Sequence, residues 1–177
     1  AMNEAYETYY SNVHRGVHWT SQTSTEAFEG SRKKVAAFLN AVSENEIIFT
    51  RGATEAINLV AASWGRANLK AGDEVILTHM EHHSNIVPWQ MLAERSGAEL
   101  KWFTFTDEGH LDLSQVDELI TERTKVVTLT WVSNMLGTIN PIAEITRRAH
   151  EVGALVVVDA SQAAPQLPID LAALPEA

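Results

Sequence analysis

Short apolar runs alternate with amphipathic segments along most of the chain. Runs of β-branched and other apolar residues predict strands, whereas apolar positions three or four apart predict helices. The predicted strands are residues 46–50, 74–78, 100–106, 125–132 and 154–158, and the predicted helices are residues 53–64, 86–96, 113–121 and 141–150. Strands that alternate with helices are typical of a mainly parallel sheet with helices on its faces. We therefore predict a three-layer α/β/α fold.

The N-terminal part of the chain departs from this alternation. Residues 4–10 have the pattern of a helix end, residues 14–22 that of a loop, and residues 25–39 that of a long amphipathic helix. We therefore predict an N-terminal helical arm or cover in residues 1–42 and an α/β domain in residues 43–177.

Composition and charge narrow the class of protein. The 177 residues are 45% hydrophobic and 20% charged, which suits a packed core. The 13 basic and 23 acidic residues give 13 − 23 = −10, and so acidic a chain repels phosphodiester backbones, which excludes a general nucleic-acid role. The absence of cysteine excludes disulfides, thiolate metal sites and a cysteine nucleophile within this chain. No apolar run predicts a membrane span or signal segment, and we expect a cytoplasmic protein.

Candidate chemistry is concentrated directly after the predicted strands, where open α/β sheets bind their ligands. Residues 50–58 lead from a strand, through a turn at Gly52, into a helix N-terminus. Free backbone N–H groups and the helix dipole attract phosphate there, and the Thr54 hydroxyl adds a donor. The alternative is that Thr54 is only an N-cap and Gly52 only a turn residue.

Two adjacent histidines, His82 and His83, follow the strand that ends at Thr78. Adjacent residues do not share a face of a regular element, so at most one of them points into a site. A metal site needs more ligands than this segment offers, and we predict none. An imidazole that lies on an aromatic ring, an acid–base group and a surface loop histidine all remain open.

Polar groups also follow the last two strands. Asn134 offers a donor and an acceptor after one strand, although ordinary turn chemistry explains it equally well. Asp159 follows the apolar run 156–158 directly, and a carboxylate there needs a cation or hydrogen-bond donors, unless it only caps the next turn. Gln162 lies three residues further along.

Together, these groups provide a phosphate cradle, a flat ring contact, neutral hydrogen-bonding groups and a carboxylate. Such a set suits a planar, phosphorylated, cationic heteroaromatic molecule. Pyridoxal phosphate (PLP) fits this description, because its protonated ring nitrogen requires an anionic partner.

Several motifs resemble one known family. Residues 51–58 (RGATEAIN), 80–90 (MEHHSNIVPWQ), 132–137 (VSNMLG) and 158–162 (VDASQ) resemble the class V aminotransferase group, which has the fold type I of PLP enzymes. More narrowly, they resemble Suf-type cysteine desulfurases, close kin of selenocysteine lyases. The string at residues 81–90 is long and specific, and residues 14–18 (HRGVH) match a further family loop.

The resemblance implies a role for each matching residue. Thr54, with backbone amides around Gly52 and Ala53, would hold the cofactor phosphate. His82 would stack on the pyridine ring and assist proton transfer, and Asp159 would pair with the ring N–H. Gln162 and Asn134 would reach the phenolic oxygen of the ring. His14 and Arg15 would lie at the mouth of the active site.

The resemblance also implies an activity for the parent protein: removal of sulfur from L-cysteine, with a sulfur-acceptor protein or Fe–S scaffold as partner and a homodimer as the assembly. The family's Schiff-base lysine, in a Ser-x-His-Lys motif, and its persulfide-forming cysteine have no match in this sequence. The chain is therefore expected to be a central fragment of the large domain and to be inactive alone. The alternatives are a selenocysteine lyase, a kynureninase-like hydrolase, an epimerase or a non-catalytic folded fragment.

Overall fold

Four parallel strands form the centre of the α/β part of the molecule. They are β1 (Glu74–Thr78), β2 (Glu99–Phe103), β3 (Thr124–Thr130) and β4 (Leu155–Asp159), in the spatial order β2-β1-β3-β4. All three pairings are parallel. The structure is a computed structural model that describes residues 2–174. Its sheet confirms the predicted parallel α/β architecture.

Both faces of the sheet are covered, because successive side chains of a strand point to opposite sides. On one face, Ile76, Val127 and Leu129 pack with Ile142, Ile145 and Ala149. On the other face, Val75, Leu77 and Val126 pack with Ile57, Trp89 and Leu92. The sheet is thus the middle of three layers.

The helices that follow the strands are close to their predicted positions. The helices are α1 (Met2–Glu4), α2 (Trp19–Leu39), α3 (Ala53–Val60), α4 (Arg66–Asn68), α5 (Val87–Ser96), α6 (Val116–Leu119) and α7 (Ile142–Glu151). A π-helical turn at Ala61–Gly65 joins α3 to α4. Among residues 2–174, no helix is long and apolar enough to cross a membrane.

The chain divides into two compact units. One comprises residues up to Phe49 together with Ile169–Ala173, and the other comprises Thr50–Pro168 with Leu174. In the first unit, the cap residue His18 precedes α2, and Asn40, which has a left-handed backbone, follows it. Residues 1–42 as an arm and 43–177 as a cofactor domain stay a prediction.

The predicted strand at residues 46–50 is wrong. The structure has a 3₁₀ turn at Glu44–Glu46, followed by extended but unpaired backbone. Ile48 and Phe49 are exposed, and among the described residues no neighbouring strand pairs with this segment. An apolar run becomes a strand only where a partner supplies the ladder of hydrogen bonds.

At its N-terminal end, β1 carries a fully buried carboxylate, Glu74. It pairs with Lys101 at 2.9 Å and with Arg123, and it accepts a hydrogen bond from the Thr121 hydroxyl at 2.9 Å. Burial acts to raise the pKa of Glu74, but the hydrogen bonds from Lys101 and Thr121 and the charges of Lys101 and Arg123 outweigh it. The pKa is therefore lowered from its ordinary value.

Candidate functional site

A cavity of about 200 Å³ lies at the carboxyl ends of the strands. Its lining comes from the start of α3, the loop after β1, the end of β3 and the segments after β3 and β4. The lining residues are Ala53, Thr54, His82, Ser84, Thr130, Asn134, Asp159, Ser161 and Gln162. Six residues predicted as cofactor ligands, from four separate stretches of sequence, therefore border one space. Four of them lie at or after the ends of β1, β3 and β4, because parallel strands end at the same edge of the sheet, and Ala53 and Thr54 come from the start of α3.

The turn into α3 presents backbone donors to this cavity. Gly52 precedes the helix at φ 149° and ψ 176°, a conformation open to glycine and strained for other residues. Because the N-cap residue Gly52 has no side chain, it accepts no side-chain hydrogen bond from the first N–H groups of α3. Ala53 and Thr54 border the cavity, whereas Gly52 forms the turn that brings them there. The helix dipole makes this edge attractive to an anion.

His82 opens a short 3₁₀ turn, His83–Asn85, and is held by it. Its Nδ1 accepts the Ser84 N–H at 3.2 Å and lies 2.8 Å from the Ser84 hydroxyl. Because Nδ1 is an acceptor in that contact, the neutral ring carries its proton on Nε2. His82 borders the cavity, whereas His83 does not contribute to the lining.

Asp159 is the last residue of β4 and is buried. Its backbone is fixed by the sheet, since Trp131 N–H donates to the Asp159 carbonyl at 2.9 Å and Thr130 is its register partner. One carboxylate oxygen, Oδ1, accepts the Ser161 N–H at 3.0 Å. No salt bridge within residues 2–174 reaches the group. Asp159 thus caps the next turn and also presents an uncompensated carboxylate to the cavity.

Asn134 and Gln162 complete the wall with neutral groups. Asn134 lies in a tight loop in which the Ser133 hydroxyl accepts the N–H groups of Met135 and Leu136, at 3.3 and 3.1 Å. Both amide side chains belong to exposed residues. Each can donate and accept a hydrogen bond, as the substituents of a polar ring require.

A second buried carboxylate, Glu81, lies beneath the cavity. Its Oε1 accepts the Thr78 hydroxyl at 2.6 Å and the Thr130 N–H at 2.9 Å, and its Oε2 accepts the Asn85 side-chain N–H at 2.7 Å. Burial raises the pKa of Glu81; the three hydrogen bonds oppose burial, and the charge of Asp159 acts with it. The pKa is raised from its ordinary value.

Comparison with known proteins agrees with this geometry. A family model described as aminotransferase class-V matches residues 1–175. The chain belongs to the aminotransferase class-V family. A probable cysteine desulfurase of Streptomyces coelicolor is 57% identical over 98% of this chain. This match spans 43% of that relative, so the class-V chain described here is less than half its length.

Solved structures give the same result. A cysteine desulfurase from Thermococcus onnurineus matches this class-V chain with a TM-score of 0.88 and 43% identity, over 95% of this chain and 41% of that one. A C-DES mutant with glycine covalently linked to its PLP cofactor matches with a TM-score of 0.83 and 26% identity, over 98% and 45%. The resemblance to class V aminotransferases and cysteine desulfurases is confirmed.

The two predicted residues at the site mouth, His14 and Arg15, belong to the other compact unit of this class-V chain. His14 has a left-handed backbone at φ 63°, and its Nε2 lies 2.9 Å from Glu29 Oε1. Its ring meets Phe28 edge-on, with centroids 6.1 Å apart. Arg15 is exposed. Their role toward substrate stays a prediction.

Sequence reasoning missed four polar residues of this class-V site. Ser84, Thr130 and Ser161 line the cavity, and Glu81 lies under it. Ser84 and Ser161 each lie two residues after a predicted ligand, a spacing that could have identified them as turn partners. Glu81 immediately precedes His82, and an acidic residue beside a buried strand end is a signal of a hydrogen-bonded carboxylate.

The described residues contain no group of three or more histidine, aspartate or glutamate side chains that could hold a metal ion.

Proposed function

We propose that the protein to which this chain belongs is a PLP-dependent cysteine desulfurase. The supporting observation is that Thr54 at the start of α3, His82 after β1 and Asp159 at the end of β4 border one cavity in a chain with cysteine desulfurases among its relatives. In the proposed reaction, the Cβ–S bond of L-cysteine breaks and the sulfur passes to an enzyme thiolate as a persulfide. A proton added at Cβ then completes L-alanine.

The chemistry of the cavity lining fits PLP. The α3 N-terminus and the Thr54 hydroxyl suit a phosphate, because N–H and O–H donors converge at a positive helix end. The buried Asp159 carboxylate, which has no cation partner among the described residues, suits a protonated ring nitrogen. Asn134 and Gln162 would bind the phenolic oxygen of the ring. When bound, PLP supplies an electron sink for charge that develops on the amino acid.

Two side chains then have distinct duties toward the ring. Asp159 would keep a proton on the ring nitrogen, and it is held by two contacts: its carbonyl accepts the Trp131 N–H and its Oδ1 accepts the Ser161 N–H. His82 would contact the ring and present Nε2 to it, because Nδ1 accepts the Ser84 N–H. A proton on Nε2 is therefore available to the reacting amino acid or to the phenolic oxygen.

No lysine of this chain belongs to the cavity lining. The lysines are Lys33, Lys34, Lys70, Lys101 and Lys125. Lys101 pairs with Glu74 at the opposite end of β1, and Lys125 Nζ donates to the Glu122 carbonyl at 3.1 Å. We therefore propose that the lysine that binds the cofactor covalently, and the thiol that receives sulfur, lie outside this sequence. The chain alone is accordingly expected to be inactive, and the homodimer, the sulfur acceptor and the cytoplasmic location stay predictions.

The test is an assay of the protein expressed from its complete reading frame. With L-cysteine and a reductant, we expect equal amounts of alanine and sulfide. Asp159→Asn should lower kcat about 100-fold or more, because it removes the anion that holds the ring proton. Asp107→Asn, in an exposed turn, is the matched control and should retain activity. Turnover of another amino acid with no alanine from cysteine would place the protein elsewhere in the family.

A further inference from the structure

The three groups that contact the Glu81 carboxylate are all donors. Thr78 accepts the Met80 N–H at 3.1 Å, so its own hydroxyl proton points toward Glu81 Oε1. The Thr130 N–H can only donate. An ionised carboxylate, which only accepts, is thus the form that matches its surroundings.

The third donor has its orientation set from further away. Asn85 Oδ1 accepts the Trp89 indole N–H at 3.2 Å and the Thr128 hydroxyl at 2.7 Å. The amide nitrogen of Asn85 must therefore face Glu81. Asn85 and Trp89 are fully buried, so a rotation of the Asn85 amide would leave several polar groups without partners. A glutamine at position 81 cannot satisfy all three donors.

This arrangement joins two of the segments that form the cavity. Glu81 directly precedes His82 on the loop after β1, and it binds the N–H of Thr130 on β3. Thr130 borders the cavity and is the register partner of Asp159 on β4. The Glu81 carboxylate thereby connects the loop that carries His82 to β3, which pairs with the strand that carries Asp159.

Glu81 is also a buried charge without a cation. Among the described residues, no lysine or arginine forms a salt bridge with Glu81 or Asp159, and the two carboxylates repel each other. Besides Asp159, the titratable group that borders the cavity is His82, on the same loop as Glu81. The groups that contact Glu81 from β1, from β3 and from the segment before α5 are all neutral. A cation bound beside Asp159 would compensate both negative charges.

We propose that Glu81 is a positioning residue that fastens the His82 loop to β3 and adds a second negative charge beside Asp159, so that the site favours a ligand with a cationic ring. This inference rests on the proposed PLP function. It adds to that function a selectivity for the protonated ring nitrogen that Asp159 does not provide alone.

A titration of the wild-type protein tests the charge directly. The carboxyl carbon of Glu81 is followed by NMR across pH, without ligand, with PLP, and with a carbocyclic analogue in which C–H replaces the ring nitrogen. We expect PLP to lower the Glu81 pKa and the analogue to leave it unchanged or raise it. An unchanged pKa with both ligands would overturn the charge assignment, and this measurement needs no variant to fold.

Affinities of variants test the same point by a second route. Glu81→Gln should weaken PLP binding about tenfold more than it weakens analogue binding, because the loosened loop affects both ligands whereas only the ring cation senses the lost charge. Thr128→Val, which removes a hydroxyl from Asn85 and leaves the charge, should weaken both ligands by the same factor. Glu81→Asp keeps the charge and should retain the preference for PLP. Equal weakening of both ligands by Glu81→Gln would show a merely structural role.

Hydrogen exchange tests the fastening. In Glu81→Asp the carboxylate is one methylene shorter, so the Thr130 amide should exchange about tenfold faster than in the wild type. Unchanged exchange would overturn the positioning role. The results distinguish failure of this inference from failure of the proposed function. If PLP does not bind the wild-type protein at all, both the proposed function and the selectivity are wrong. If PLP binds without the predicted selectivity, only the role assigned to Glu81 is wrong.

Discussion

Two buried glutamates lie at opposite ends of β1, and they differ in whether a cation pairs with the carboxylate. Glu74, at the start of the strand, pairs with Lys101 and Arg123. Glu81, just beyond the strand's carboxyl end, has three hydrogen-bond donors and a neighbouring carboxylate, Asp159. The pKa is lowered in the first case and raised in the second.

The comparison distinguishes Glu74, a carboxylate that stabilises the fold, from Glu81, a carboxylate that we propose acts on a bound ligand. A buried carboxylate with two cations is balanced inside the protein, and its removal affects stability. A carboxylate that has donors but no cation is adequately hydrogen-bonded and still carries net charge. That remaining charge is available to a molecule that binds at the same edge of the sheet.

The strongest test of the comparison removes the balanced carboxylate. Glu74→Gln should lower the free energy of unfolding by about 1 to 3 kcal/mol, because the buried site loses its charge-assisted hydrogen bonds while the partly exposed Lys101 and Arg123 remain accessible to water. Denaturant unfolding measures this value. Glu99→Gln is the control: Glu99 is exposed and lies opposite Glu74 in the register of β1 and β2, and its change should stay within about 0.5 kcal/mol. Equal effects of the two changes would contradict the pairing.

The pH dependence of stability should have opposite signs at the two sites. The lowered pKa of Glu74 stabilises the fold above the ordinary glutamate value of 4.5, and this contribution is lost as the pH falls through the folded pKa. Glu81 has a raised pKa, so the unfolded chain ionises first and stability is lost as the pH rises from 4.5 through the folded pKa. Each effect is at most about 1.4 kcal/mol per pH unit.

Unfolding free energies of the wild type, Glu74→Gln and Glu81→Gln, measured from about pH 3 to pH 8, check these signs. The advantage of the wild type over Glu74→Gln should grow with pH. Its advantage over Glu81→Gln should shrink over the same range. Parallel curves for the two differences would mean that both carboxylates have the same surroundings.

A smaller effect is expected from substitution of Gly52, in the turn before α3 at the edge of the cavity. Gly52→Ala should destabilise the protein by about 1 kcal/mol or more and weaken PLP binding, because φ 149° is strained for alanine although space for a Cβ is open. Gly30 also has open space for a Cβ but lies within α2, so Gly30→Ala should stabilise by about 0.5 to 1 kcal/mol. Calorimetry and PLP titration distinguish them. A neutral Gly52→Ala would show that the turn adapts.

The sequence predicts much of the fold and most of the cavity lining. Residues 74–78 form β1 with the predicted bounds, because an apolar run between turns has few alternatives. His82, Asn134, Asp159 and Gln162 border one cavity for a topological reason, since parallel strands end at the same edge. Ala53 and Thr54 border it from the start of α3. Their duties toward a cofactor still await experiment.

The remaining features depend on contacts that a linear pattern does not contain. Residues 46–50 have a strand composition but no neighbouring strand, so composition alone misleads. Glu81 binds Thr130, which is distant in sequence, and only the fold brings them to 2.9 Å. The pairing of Lys101 and Arg123 with Glu74 likewise depends on the order of the strands.

Asp159 is the last residue of a sheet strand, whereas Thr54 lies in the first turn of helix α3 and His82 at the start of a 3₁₀ turn. The carboxylate belongs to a rigid frame, held by the Trp131 N–H and the register with Thr130, and it cannot shift without displacing a strand. The two turns can adjust with smaller changes of backbone angle. Ligands of different size would therefore be held in the same way at Asp159. They would differ in how far the turns that carry Thr54 and His82 move apart.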